Sequence, residues 1–223
     1  MLSVTQRLAE VRASLPKGVE LVAISKYHPV EALREAYEAG QRVFGENHIV
    51  EMTEKAAALP TDIRWHFTGH VQTNKIRLMA PYVDTVESVD SLHVLEALNR
   101  HAERCGRVIN CLLQIHVAQE ETKYGLTPDE CFALLNEGNW RQMKHLRITG
   151  LMAMATNTDD EQQVRSEFRR VRELFVQIKN QFFAEQPSFC VLSEGMTDDY
   201  LLAVAEGSNT VRIGSAIFGP RQY

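Results

Sequence analysis

Eight short apolar runs alternate along this chain with stretches of helical periodicity, and few folds accommodate that rhythm. The runs fall at residues 21–26, 42–44, 63–68, 83–86, 108–117, 148–152, 189–192 and 210–213. Runs of this kind read as strands buried on both faces. Between them, apolar residues recur at helical spacing: Val30, Leu33 and Tyr37, then Ile49, Met52 and Ala56, then Leu92, Leu95 and Leu98. The longest such stretch carries Val164, Phe168, Val171, Phe175, Ile178 and Phe182. Gly40, Gly106 and Gly207 supply helix stops. Thr127-Pro128-Asp129-Glu130 and the pair Thr158 and Glu161 each predict a capping box at a helix start. Alternation of strand and helix requires right-handed crossovers and a parallel sheet. Eight units close into a barrel, whereas five or six leave an open doubly wound sheet. The expected fold is α/β, a single (β/α)8 TIM barrel over residues 1–223. An extra N-terminal helix built on Val4, Leu8, Val11 and Leu15 precedes it.

Composition narrows the function. A net charge of −5 and a pI near 5.9 argue against a general nucleic-acid or membrane-surface binder. No apolar run reaches the roughly 18 residues of a spanning helix, and the N-terminus lacks a signal-peptide core. Cys105, Cys111, Cys131 and Cys190 are scattered, and read as free thiols of a reducing cytoplasm. No His, Cys and carboxylate set has metal-ligand spacing, and no nucleophile elbow or Walker loop appears.

The first run ends Ile24-Ser25-Lys26 and is followed by Tyr27-His28-Pro29. Pro29 suits the first turn of a helix. Lys26 therefore stands at the C-terminal mouth of the first strand, where parallel α/β folds keep their chemistry. A lysine on an apolar stem loses its proton more readily and attacks carbonyls to form a Schiff base. The same residue also reads as a solvated lysine that closes a strand.

Barrels of this kind commonly hold phosphate on the loops after strands seven and eight. Gly195-Met196-Thr197, read as opening a helix, and Gly214-Ser215 occupy those two places. Each also reads as ordinary turn sequence. Arg212, just before the second loop, faces either a structural carboxylate, with Glu194 as the candidate partner, or a ligand in the mouth. Strand alternation points His66 away from Trp65 and Phe67, as a core histidine or a site residue. Asn47 follows the second strand, with helix capping as its plainer role. Lys75 and Lys123 are further amines on loops. A Schiff-base lysine facing a phosphate cradle suits a phosphorylated aldehyde, either pyridoxal 5′-phosphate or the sugar phosphate of an aldolase.

The segments that carry these residues are Val22-Ala23-Ile24-Ser25-Lys26, Phe44-Gly45-Glu46-Asn47 and the run from Trp65-His66-Phe67-Thr68-Gly69 to Lys75. Gly150-Leu151-Met152-Ala153, Leu192-Ser193-Glu194-Gly195-Met196-Thr197 and the run from Val211-Arg212-Ile213-Gly214-Ser215 to Gly219 complete the set. In this order they resemble the pyridoxal phosphate homeostasis family, whose fold is like the N-terminal barrel of alanine racemase. The match spans nearly the whole chain. The resemblance implies that Lys26 holds pyridoxal 5′-phosphate as an internal aldimine. It implies that Thr197, Gly214 and Ser215 hold the phosphate with Met196 beside them, and that Arg212 faces the pyridine nitrogen. Asn47 and His66 match positions lining the cofactor. Glu194 stands where the family usually has methionine, and Thr197 where it usually has serine.

Related racemases use two bases, the lysine and a tyrosine from a second, all-β domain. This chain is expected to lack that domain, because Tyr223 follows directly on the eighth strand. An arginine beside the pyridine nitrogen does not protonate it, which leaves the ring a poor electron sink. The expected function is therefore cofactor binding and intracellular homeostasis without turnover and without catalytic residues. The alternative is a fold-type III enzyme with weak racemase-like activity towards amino acids. A cytoplasmic monomer that serves apoenzymes dependent on the cofactor is expected.

Overall fold

The computed structural model describes residues 2–120 and 124–220. In it, eight parallel strands close into a barrel in strict chain order. They are β1 (Glu20–Ile24), β2 (Val43–Glu46), β3 (Arg64–Phe67), β4 (Val83–Val89), β5 (Ile109–Ile115), β6 (Leu146–Ala153), β7 (Val191–Ser193) and β8 (Thr210–Ile213). Closure is made by β1 against β8, with Leu21 opposite Val211 and Val22 opposite Arg212. Helix α1 (Val4–Ser14) precedes the barrel. The crossovers carry α2 (Val30–Glu38), α3 (Ile49–Ala58), α4 (Ile76–Met79), α5 (Leu92–Arg104), α6 (Pro128–Glu137), α7 (Glu161–Phe182) and α8 (Tyr200–Ala205). The expected (β/α)8 barrel with its extra N-terminal helix is what forms.

The differences from expectation have local causes. A one-turn helix, α9 (Ser215–Phe218), follows the eighth strand as well. Strand β4 continues to Val89 instead of ending at Val86, because Glu87 finds partners inside the barrel. The box expected at Thr158 does not form. Asp160 caps α7 by accepting from the N–H groups of Gln162 (2.9 Å) and Gln163 (3.2 Å). Thr158 Oγ1 instead accepts from Asp160 N. The box at Thr127 forms as read, with Glu130 N donating to Thr127 Oγ1 and Thr127 N donating to Glu130 Oε2.

Two layers follow from strand alternation. Leu21, Ala23, Phe44, Trp65 and Phe67 belong to the large core formed with the surrounding helices. Val22 and Ile24 take the other face of β1. Gly45 on the neighbouring strand accommodates them, since a Cβ there would overlap Ile24 Cδ1 and lie 2.9 Å from Val22 Cγ1. Helix α1 docks on α2 and α9, and Arg7 Nε donates to Ile217 O at 2.6 Å. Cys111 and Cys131 are buried free thiols, each pushed up by burial to a pKa of about 12. Among the described residues, no helix is long and apolar enough to cross a membrane.

Below β7, Phe189 stacks between Phe183 (centroids 4.3 Å, planes 8° apart) and Phe175 (4.9 Å). Trp140 tilts against Phe183 at 4.9 Å. Phe189→Ala opens a cavity inside this stack and should cost about 3–5 kcal/mol of stability. A lowered urea midpoint with an unchanged slope would register that loss.

Candidate functional site

A cavity of about 250 Å³ lies at the C-terminal mouth of the barrel. One wall is the β1 end, with Ile24, Lys26 and His28, and Asn47 and Thr68 stand next to it. Met152 and Met154 supply apolar surface, and Met196, Thr197, Asp198, Arg212, Gly214 and Ser215 form the opposite wall. Seven of the eight residues singled out from the sequence thus line one cavity. His66 does not line it. The hydroxyls of Thr197 and Ser215 meet at 3.1 Å across the β7 and β8 loops. Thr197 itself precedes α8 by a short turn and does not open that helix. Thr68 Oγ1 donates to Asn47 Oδ1 at 2.8 Å, which fixes the Asn47 amide. His28 is buried and stacks on Phe218, centroids 5.2 Å apart.

Strand β1 ends at Ile24, two residues short of Lys26, so the lysine is placed by its loop. Tyr27, directly after it, has φ of 65°. That left-handed conformation costs a residue with a side chain about 1–3 kcal/mol and persists only where its surroundings enforce it. Behind the strand layer, Lys55 of α3 is buried with three acceptors. Its Nζ donates to Ser25 O (2.8 Å), Glu46 Oε1 (2.7 Å) and Glu51 Oε1 (2.7 Å). Ser25 Oγ donates to the same Glu46 oxygen at 2.6 Å. Glu51 Oε1 also accepts from Tyr27 N at 2.7 Å. Burial raises the Glu46 carboxyl above its ordinary range, and the charge and hydrogen bonds of Lys55 and Ser25 only partly oppose it.

Beneath the cavity, a polar chain crosses the lumen. Arg212 on β8 donates through Nη1 to Ser193 O (2.8 Å) and Oγ (2.7 Å), and through Nη2 to Ala153 O (2.8 Å). Ser193 Oγ donates to Glu87 Oε2 at 2.6 Å, although β5 and β6 stand between their strands in the barrel. The other Glu87 oxygen meets His66 Nδ1 at 2.6 Å. All four side chains are buried. Burial pushes the Glu87 carboxyl upward, but the His66 hydrogen bond, the His66 and Arg212 charges and the Ser193 hydroxyl outweigh it. The result lies below the ordinary carboxylate range.

Arg212 therefore faces Glu87 at 3.8 Å, in place of the expected pair with Glu194. Glu194 follows Ser193 and is fully buried, with neither carboxyl oxygen hydrogen-bonded among the described residues. Burial drives its carboxyl well above the ordinary range despite the pull of Arg212, while Asp199 adds a push in the same direction. Sequence reading missed Glu87, Ser193 and Lys55. The available signals were a carboxylate that extends the apolar run of β4 and a lysine three residues after Met52, on the apolar face of α3. Lys123 lies outside the described residues.

Lumen polarity, mouth lysine and paired hydroxyls define a class: parallel barrels whose strand-end cavity sets an amine opposite a pair of hydroxyls. Residues 3–222 match the family described as alanine racemase, N-terminal domain. A curated relative named pyridoxal phosphate homeostasis protein, from Haemophilus influenzae, is 38% identical over 92% of this chain and 86% of its own length. Another of that name, from Schizosaccharomyces pombe, is 36% identical over 92% and 85%. The structure of PipY from Synechococcus elongatus with PLP bound superimposes with a TM-score of 0.88. That protein is 37% identical, and the match covers 97% of this chain and 100% of PipY. The chain belongs to the family of pyridoxal phosphate homeostasis proteins. Alanine racemase from Clostridium difficile shares the fold at a TM-score of 0.78 and 11% identity, over 96% of this chain and 59% of the racemase.

Glu87 and Glu194 give stability opposite pH dependences. The stability that ionised Glu87 supports is complete above the unfolded value of about 4.3 and is lost as pH falls through its lower folded value. Folded Glu194 retains a proton that the unfolded chain releases. Its contribution therefore declines by about 1.4 kcal/mol per pH unit above roughly 4.3, until the buried group ionises. Glu194→Gln should be more stable than wild type near about pH 7, with the gap closing towards about pH 4. Glu87→Gln should lose about 3 kcal/mol at neutral pH and less in acid. Urea melts across that range test both, and parallel profiles for wild type and Glu194→Gln would refute the first.

Proposed function

We propose that this chain binds pyridoxal 5′-phosphate in the mouth cavity, on Lys26, and serves cofactor homeostasis as a carrier without turnover. One observation carries the reading: an amine and a pair of touching hydroxyls occupy opposite walls of one small cavity. The residues present fit the group. Thr197 and Ser215 supply donors for a phosphate, and Met152, Met154 and Ile24 offer apolar surface to a ring. At Gly214 the turn lies close against β1, where a Cβ would stand 3.0 Å from Ile24 O. When bound, the cofactor supplies an aldehyde that condenses with a primary amine and a ring that withdraws electrons.

The chain's own residues then orient and hold. Lys26 provides the amine. Arg212, proposed to face the ring nitrogen, is a guanidinium, a group that donates hydrogen bonds without surrendering a proton. Its two terminal nitrogens, Nη1 and Nη2, already donate to Ser193 and Ala153, which locks the guanidinium in place. Ionised Glu87 offsets its charge from within the lumen. An immovable cation that cannot protonate the ring nitrogen favours holding the cofactor over carbanion chemistry. Asn47 and Met196 border the ligand in this reading, and His66 acts through Glu87. Residues 1–223 work as one domain and as a cytoplasmic monomer, with cofactor-dependent apoenzymes as recipients.

Protein loaded with the cofactor should be yellow, and borohydride should fix one equivalent on Lys26, located by peptide mass spectrometry. Lys26→Ala should lose that fixation. Thr197→Val and Ser215→Ala should each weaken binding roughly ten- to a hundredfold, the loss expected for one hydrogen bond to a charged group. Alanine incubated with the loaded protein in deuterated water should keep its α-hydrogen. Exchange that disappears with Lys26→Ala would overturn the carrier reading in favour of a racemase-like activity.

A further inference from the structure

We infer that Lys55, acting with Glu51, is a positioning residue that clamps the backbone on both sides of Lys26 and aims its amine into the cavity. The inference rests on the assignment of Lys26 as the cofactor-bearing amine. The last sheet bond towards β2 is made by Ser25 N to Gly45 O at 3.0 Å, so pairing within the sheet stops one residue short of Lys26. The preceding peptide is held where Lys55 Nζ donates to Ser25 O at 2.8 Å. The following peptide is held where Tyr27 N donates to Glu51 Oε1 at 2.7 Å. The same ammonium holds Glu51 through a 2.7 Å bond, so one buried cation governs both flanks. Glu46, fully buried, fixes the ammonium from the strand side and also receives Ser25 Oγ.

Tyr27 shows what the clamp enforces. A tyrosine at φ of 65° lies in the region that favours glycine. Such a conformation persists where its surroundings over-determine it, and the Glu51 acceptor fixes the N–H of that very residue. The left-handed turn reverses the chain between the strand end and α2, with Lys26 at its crest. A lysine at this buried helix position would be costly without its three acceptors. All three lead to the Lys26 loop or to the strand end beside it. None of this cluster lines the mouth cavity except Lys26, so the clamp acts through the backbone and not by touching the ligand.

The test uses full-length protein and two substitutions at the half-buried Glu51, since Lys55→Met would strand the buried Glu46 carboxylate and endanger folding. Glu51→Ala removes the acceptor of Tyr27 N–H. Glu51→Gln keeps an oxygen there. With pyridoxal 5′-phosphate and borohydride, Glu51→Ala should slow fixation on Lys26 about tenfold or more, as misaligned reacting groups do. Glu51→Gln should restore most of the rate. Affinity for pyridoxine 5′-phosphate, which lacks the aldehyde, should be the same in all three proteins. In cofactor-free protein, acetic anhydride labelling of Lys26 relative to Lys17 should change in Glu51→Ala and return in Glu51→Gln. A folded Glu51→Ala that fixes the cofactor and labels like wild type overturns the clamp. A wild type that takes up no cofactor overturns the carrier reading instead, and the labelling comparison then decides the clamp alone.

Discussion

The contact of Arg212 with Ser193 and Glu87 is the constraint around which the site is built. It joins the last two strands to β4 across the lumen, so the interior of this barrel is partly polar where most are filled by branched apolar side chains. A buried cation and carboxylate gain little net stability from each other after desolvation. Their value here lies in geometry. Five strands contribute a group to the chain of bonds from His66 to Ala153, and the guanidinium beneath the cavity has no freedom to turn. The floor of the pocket is thereby set before any ligand arrives.

A second buried charge cluster lies on the opposite side of the strand layer, where Lys55 meets Glu46 and Glu51. The two clusters divide the labour. The lumen network fixes what the ring would rest on, and the outer cluster holds the loop bearing the amine. Of their buried side-chain nitrogens and oxygens among the described residues, one oxygen of Glu46 and one ring nitrogen of His66 lack a hydrogen bond. Glu194 contrasts with both, being buried as deeply with no hydrogen-bonded partner among the described residues. Burial disfavours the charged form of this carboxyl, which lies within the wall behind the proposed phosphate side.

Much of this was legible in the sequence. The eightfold alternation gave closure, because parallel strands buried on both faces leave a plain apolar signature. Lys26 and Arg212 were visible because each interrupts or ends such a run. Glu87 was not, because a carboxylate after Val86 reads as the start of a loop. His66, Ser193 and Arg212, distant in sequence and brought close by closure, make that position tolerable. Lys55 was hidden for the same reason, as a charge on a helix face whose partners beyond Glu51 of its own helix come from β2 and the loop after β1. Asp160 displaced Thr158 as a cap because the better-placed acceptor lay two residues later. Local pattern reads burial of apolar groups well. It reads buried charge poorly, since the compensation is supplied by distant chain.

The bond from Arg7 to the carbonyl of Ile217 gives the leading helix an influence out of proportion to its place in the chain. That carbonyl belongs to the single turn that begins at Ser215, so the first and last described helices form one mechanical unit behind the wall proposed to hold phosphate. Fusion partners, purification handles or trimming at the amino end would consequently bear on ligand grip as well as on folding.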